Sequence, residues 1–134
     1  MRTKFVLTLE EAEAVLKAAR HHAAAGDWAV SIAVVDDAGM PIALARMDKA
    51  PAISASTAIE KARSAGMIGV STKILEDMVA ARPALVTMAG RTAVEGGIPI
   101  LHHGQSVGGI GVSGVTSAQD AEVARAGLSA LPEF

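Results

Sequence analysis

The sequence predicts an α+β domain in which an antiparallel sheet is covered by helices, and three observations lead there. Two pairs of apolar, β-rich segments, near 29–47 and 96–113, are each joined by a short turn. Strands with so little chain between them pair antiparallel, because parallel neighbours need long crossovers. Segments with apolar residues at helical spacing surround them, so the order is helix, hairpin, two helices, hairpin, helix. The 134 residues are read as one domain, 1–134, with room for a modest core.

The first helix spans Thr8 to Ala25. Thr8 can cap it, Glu11 three residues on completes a capping box, and Gly26 stops it. Leu9, Ala12, Leu16, Ala19 and Ala23 form its apolar face. The run Ala29–Val35 then reads as a largely buried strand. Asp36-Asp37-Ala38-Gly39 is turn chemistry, with Gly39 free to take positive φ, and Pro41 to Met47 returns as the second strand. Pro51 suits the first turn of a second helix running to about Met67. Its small residues Ala55, Ala58, Ala62, Ala65 and Gly66 permit close backbone approach to a sheet or another subunit. A third, shorter helix covers Thr72 to Arg82 and ends at Pro83. The stretch from Ala84 to Glu95 is read as loop with one strand. Gly96–Leu101, a His-His-Gly turn and Ser106–Ser113 make the second hairpin. Thr116, with Gln119 in the box position, caps a last helix whose face carries Ala118, Ala121, Ala124, Leu128 and Leu131.

Composition narrows the function. A net charge of −2 with one Trp and two Phe gives no footprint for nucleic acid. No apolar run approaches the about 20 residues of a membrane span. No apolar signal core follows Met1-Arg2-Thr3-Lys4, so a cytoplasmic location is expected. Without cysteine there is no disulfide, thiol nucleophile or thiolate metal cage. The chain is 51% hydrophobic with a mean hydropathy of +0.38, much of it alanine. A domain this small cannot hide all of that, and a homo-oligomer is predicted.

Several residues are candidates for chemistry. Gly109-Ile110-Gly111-Val112-Ser113-Gly114 matches G-x-G-x-x-G, but the glycines lie within the strand and too little chain follows for a βαβ unit. Glycines there instead let something press flat on the sheet, another chain or a planar ligand. Ser113, Gly114, Thr116 and Ser117 sit at a helix start, where capping and anion binding both fit. The histidines come as His21-His22 and His102-His103. Neighbours on a helix point about 100° apart, so His21 and His22 cannot clamp one ion together. His22 flanks the apolar face, His21 lies nearer Lys17, and His102-His103 occupy a turn. Zinc would require three or four convergent ligands, which no spacing here provides. Arg46 can pair with Asp48 or grip a carboxylate in bidentate fashion; Asp48 can also cap the second helix. Lys61, on one side with Thr57 and Ser64, is a carboxylate anchor or a snorkelling surface group.

Four segments, in order along nearly the whole chain, resemble the GlcG/HbpS family, which includes the C-terminal domain of PduO-type proteins. They are Ser31–Asp36 with Gly39; Arg46-Met47-Asp48; Glu60-Lys61-Ala62; and Gly108–Gly114 running into Gln119–Gly127. The segment 66–91 departs from the family's phenylalanine- and glycine-rich pattern. The resemblance implies a profilin-like α+β fold, with a five-stranded antiparallel sheet between helices, assembled into dimers or larger rings. It also implies haem as cofactor, held in some members by a histidine of the first helix. Spacing to Gly26 favours His21 as that ligand; the helical-face argument favours His22. Aromatic walls are scarce: only Phe5, Trp28 and Phe134 are available.

Three functions follow. In a haem-binding module, His21 or His22 ligates iron, Arg46 or Lys61 meets the propionates, and Gly109, Gly111 and Ser113 admit the flat ring. In an enzyme for a small carboxylated metabolite (an isomerase or hydrolase), Arg46 and Lys61 hold the carboxylate while a histidine or Asp48 moves a proton. In a structural or regulatory oligomer, the alanine-rich faces serve assembly alone.

Overall fold

The structure is a computed structural model that describes residues 1–88, 90 and 92–132. The chain folds as α1 (Leu9–Ala25), β1 (Ser31–Asp36), β2 (Pro41–Arg46), α2 (Ile53–Ile68), α3 (Thr72–Ala81), a 3-10 turn (Pro83–Thr87), β3 (Gly97–His102), β4 (Gln105–Ser113) and α4 (Ser117–Leu128). The two hairpins join through their inner strands into one antiparallel sheet of order β2-β1-β4-β3. Pro41 and Pro99 lie in the two edge strands, where a missing N–H costs no ladder bond on the open side.

Among the described residues the sheet has four strands, not the five that the family resemblance implies. The described part of 84–95 holds no strand; Ala89 and Arg91 lie outside the described residues. Pro83 opens the 3-10 turn, and Gly90 and Gly96 both take positive φ, which breaks an extended run. The backbone donors go to helices instead of to a strand neighbour. Thr92 N donates to Ser64 Oγ at 2.8 Å, Glu95 N to Glu76 Oε1 at 3.3 Å, and Gly97 N to Thr72 Oγ1 at 2.8 Å.

The alternation of β1 sorts the molecule into layers. Val30, Ile32 and Val34 are fully buried against Val15, Ala19 and Ala23 of α1 and Val123 and Ala124 of α4. Ala33 and Val35 face the other way, onto Ala58 and Ala62 of α2. A strand covered on both faces reads as a continuous apolar run, which is why Ala29–Val35 carries so few polar residues. The helix starts behave as their sequences dictate: Thr8 with Glu11 and Thr116 with Gln119 both form capping boxes. By contrast α2 has no side-chain cap. Asp48 does not supply one; Ser54 Oγ instead donates to Pro51 O.

Candidate functional site

The register set by the Thr8 cap turns Val15, Ala19 and Ala23 inward and leaves Ala14, Ala18, His21 and Ala25 on a second stripe at helical spacing. That stripe borders a groove of about 840 Å³. Lys17, Arg20, His22 and Ala24 of α1, Met47 after β2, Ala126 of α4, and Ser129 and Ala130 just beyond it complete its lining. The size lies within the range of small-molecule and cofactor sites, and the walls are chiefly methyl groups. A second cleft of about 380 Å³ adjoins it, lined by Arg20, Ala45, Arg46, Met47 and Asp48. Arg20 and Met47 belong to both.

The two helical histidines differ in their engagement. His22 is half-buried; its Nε2 lies 2.9 Å from Glu122 Oε2 of α4, and its ring meets Trp28 edge-on at 6.2 Å. His21 is exposed on the groove, and among the described residues no hydrogen bond, ion pair or ring contact holds it. Its imidazole is available as a lone donor. The other pair sits apart: His102 is half-buried edge-on against Phe5 at 4.2 Å, and His103 tilts onto His102 at 4.3 Å. That uses one of the aromatic walls, and Phe134 lies outside the described residues. Among the described residues no group of three or more His, Asp or Glu gathers that could hold a bare metal ion.

Lys61 does not reach the groove. Its ammonium donates to Val112 O and Asp120 Oδ2, both at 3.0 Å, with each side chain of the ion pair only 3% exposed. Asp120 Oδ1 accepts from Val115 N at 3.2 Å. Burial pushes the Asp120 carboxyl above its ordinary value, outweighing the pull of Lys61 and the Val115 N–H. The anchor suggested by sequence is thus a structural tie between α2 and α4, since a cation so deep must be matched by an anion.

The glycines of β4 also answer to α2. A Cβ on Gly109 would run into Ala62 O, and one on Gly111 into Ala58 O. The flat neighbour that sequence reasoning required is therefore the chain's own helix, and no space for a ring remains over these glycines. Ser113 is half-buried at the end of the same strand, paired with Ser31, and borders neither cleft. Arg46 and Asp48 are exposed on the second cleft; among the described residues they form no ion pair with each other. The structure thus brings His21, His22 and Arg46 to adjoining clefts and takes Lys61, Gly109, Gly111 and Ser113 elsewhere. Sequence reasoning missed Arg20 and Glu122. Arg20 was legible as a cation one turn from Lys17, but nothing in a single sequence links Glu122 to a histidine 100 positions earlier.

Comparison with known proteins agrees with this fold. The family model described as haem-degrading protein HbpS-like matches residues 7–129. Protein GlcG of Escherichia coli K12 is 45% identical over 114 residues, covering 84% of this chain and 85% of GlcG. The crystal structure of a double mutant of Streptomyces reticuli HbpS superposes with a TM-score of 0.93 at 34% identity, covering 99% of this chain and 92% of that one. A crystal structure of a PduOC:heme complex superposes with a TM-score of 0.86 at 26% identity, covering 95% and 96%.

Proposed function

Because the chain belongs to the HbpS-like family of haem-degrading proteins, we propose that it binds haem in the groove between α1 and α4, with His21 as the axial donor. The observation that carries this reading is an unengaged imidazole set in a stripe of alanines on a groove of suitable size. One neutral histidine is sufficient as a proximal ligand, and methyl walls suit the apolar body of a macrocycle. His22 is the weaker candidate, because ligating iron would require it to leave Glu122. Its pairing tethers α4 to α1 and helps to hold the groove's two walls together. Bound haem would supply its own iron chemistry; the protein's part is binding, orientation and partial exclusion of water. Resemblance to a protein solved as a heme complex supports the same ligand class.

The test is titration of the purified protein with hemin, followed in the Soret band. The wild type is expected to shift it, His21→Ala to abolish the shift, and His22→Ala to retain it with weaker binding. No shift with the wild type, or a shift indifferent to His21→Ala, would overturn the proposal.

We further propose self-association through the outer side of α3. Ile68, Met78 and Met88 are exposed by 41%, 46% and 77% and border one hollow of about 170 Å³ with Leu75, Val79 and Leu85. A contiguous apolar surface of this kind on a small domain marks an interaction site.

A further inference from the structure

We infer that Lys17 and Arg20 of α1 anchor the carboxylates of the groove's ligand, making the site selective for a flat molecule with an acidic edge. The inference rests on the groove reading above and extends it to the polar end of the ligand. Among the described residues the ionisable side chains bordering the groove are Lys17, Arg20, His21 and His22, with no carboxylate beside them. That local excess stands out in a chain whose net charge is −2.

The two cations are also uncommitted. Lys4, Lys61 and Lys73 each lie within 3.1 Å of a carboxylate, whereas among the described residues Lys17 and Arg20 have no ion-pair or hydrogen-bond partner. Three residues apart on a helix, they occupy neighbouring positions on one side, and His21 follows Lys17 by four. A ring lying over Ala14 and Ala18 with its metal toward His21 would therefore have both cations within one helical turn of the axial donor. Arg20 can add a bidentate contact, which a carboxylate accepts in a defined orientation. Arg46, across the adjoining cleft, has Asp48 beside it and contributes less net charge. Lys17 and Arg20 thus take the role that the sequence reading gave to Arg46 or Lys61, the latter withheld by its own ion pair.

Both side chains are exposed, so water and salt weaken the interaction. The expected effect is about tenfold in affinity, the size of one charge-assisted contact near a surface. The experiment compares hemin with hemin dimethyl ester, which keeps ring and iron but has no acidic groups, in Soret titrations. It uses the wild type, the double variant Lys17→Ala/Arg20→Ala, and Lys73→Ala as a remote control. Expected are an ester about tenfold weaker than hemin on the wild type, a double variant that loses this preference while holding the ester unchanged, and an unaffected control. Equal affinity for the two probes on the wild type, or equal weakening of both by the double variant, overturns the anchor and leaves the groove intact. No Soret shift with either probe on the wild type would refute the groove itself, and the anchor with it.

Discussion

At the scale of single residues, the strongest constraint is the buried pair Lys61–Asp120. Each ion has been taken out of water, and each is tolerated only because the other and one backbone group satisfy it, Val112 O for Lys61 and Val115 N for Asp120. Removing one partner strands the other. Lys61→Met is therefore expected to cost about 3–5 kcal/mol, measured as a fall in the urea midpoint. Replacing both by apolar residues of similar volume should recover most of that loss, which separates an unpaired charge from lost packing. The pair also gives stability a pH dependence of definite sign. The folded chain holds the Asp120 proton more tightly than the unfolded chain, because burial raises this carboxyl above its ordinary value of 3.8. In the window from 3.8 upward the folded state binds more protons, so this group's contribution is fully present below 3.8 and is lost as pH rises through the elevated folded value. Asp120→Asn should flatten the stability–pH curve across that window; an unchanged slope would show that the carboxyl is not raised.

At the scale of elements, the packing of α2 on β4 governs the architecture. Small residues on both surfaces bring a helix backbone against a strand backbone, with Gly66 of α2 facing Gly108 and Gly109. A Cβ on Gly66 would sit 2.9 Å from Gly108 C and Gly109 N, and one on Gly111 would strike Ala58 O. Backbone cannot yield as a flexible side chain can, so overpacking here costs more than usual. Gly111→Ala is expected to destabilise by about 3 kcal/mol or to prevent folding. Gly69→Ala, at φ +86° with no atom within 4 Å, should cost only about 1 kcal/mol from backbone strain. Urea midpoints of the two variants compare the terms directly. Helices α1 and α4 also approach closely: a Cβ on Gly127 would meet Val15 O at 3.0 Å, and the alanine-lined groove lies beside this contact.

At the scale of the whole molecule, the question is where the apolar excess goes. Much of it is core, but Ile68, Met78, Val86 and Met88 remain exposed around α3 and the 3-10 turn. Association through that surface predicts a light-scattering mass at least twice 13.6 kDa, reduced toward the monomer by Met78→Glu/Met88→Glu without loss of helical circular dichroism. A wild type that stays monomeric at tens of micromolar would exclude it. No helix among the described residues is long and apolar enough to cross a membrane.

What the chain determined locally was legible before any coordinates. Thr8 and Thr116 cap because their hydroxyls and the following Glu11 and Gln119 lie within a few residues of the groups they satisfy. The hairpins, the buried β1 and the small-residue face of α2 follow from spacing of the same short range. Everything that joins residues far apart in sequence had to await the tertiary structure. Lys61 and Asp120 lie 59 positions apart, His22 and Glu122 lie 100 apart, and no pattern within either segment identifies the partner. The lack of a fifth strand among the described residues has the same origin: the donors of Thr92 and Glu95 are taken by Ser64 and Glu76, side chains of two other elements. Periodicity reports which face of an element is apolar, but only packing decides what covers it. For that reason the glycines of β4 announced a close neighbour correctly and could not say that it was α2.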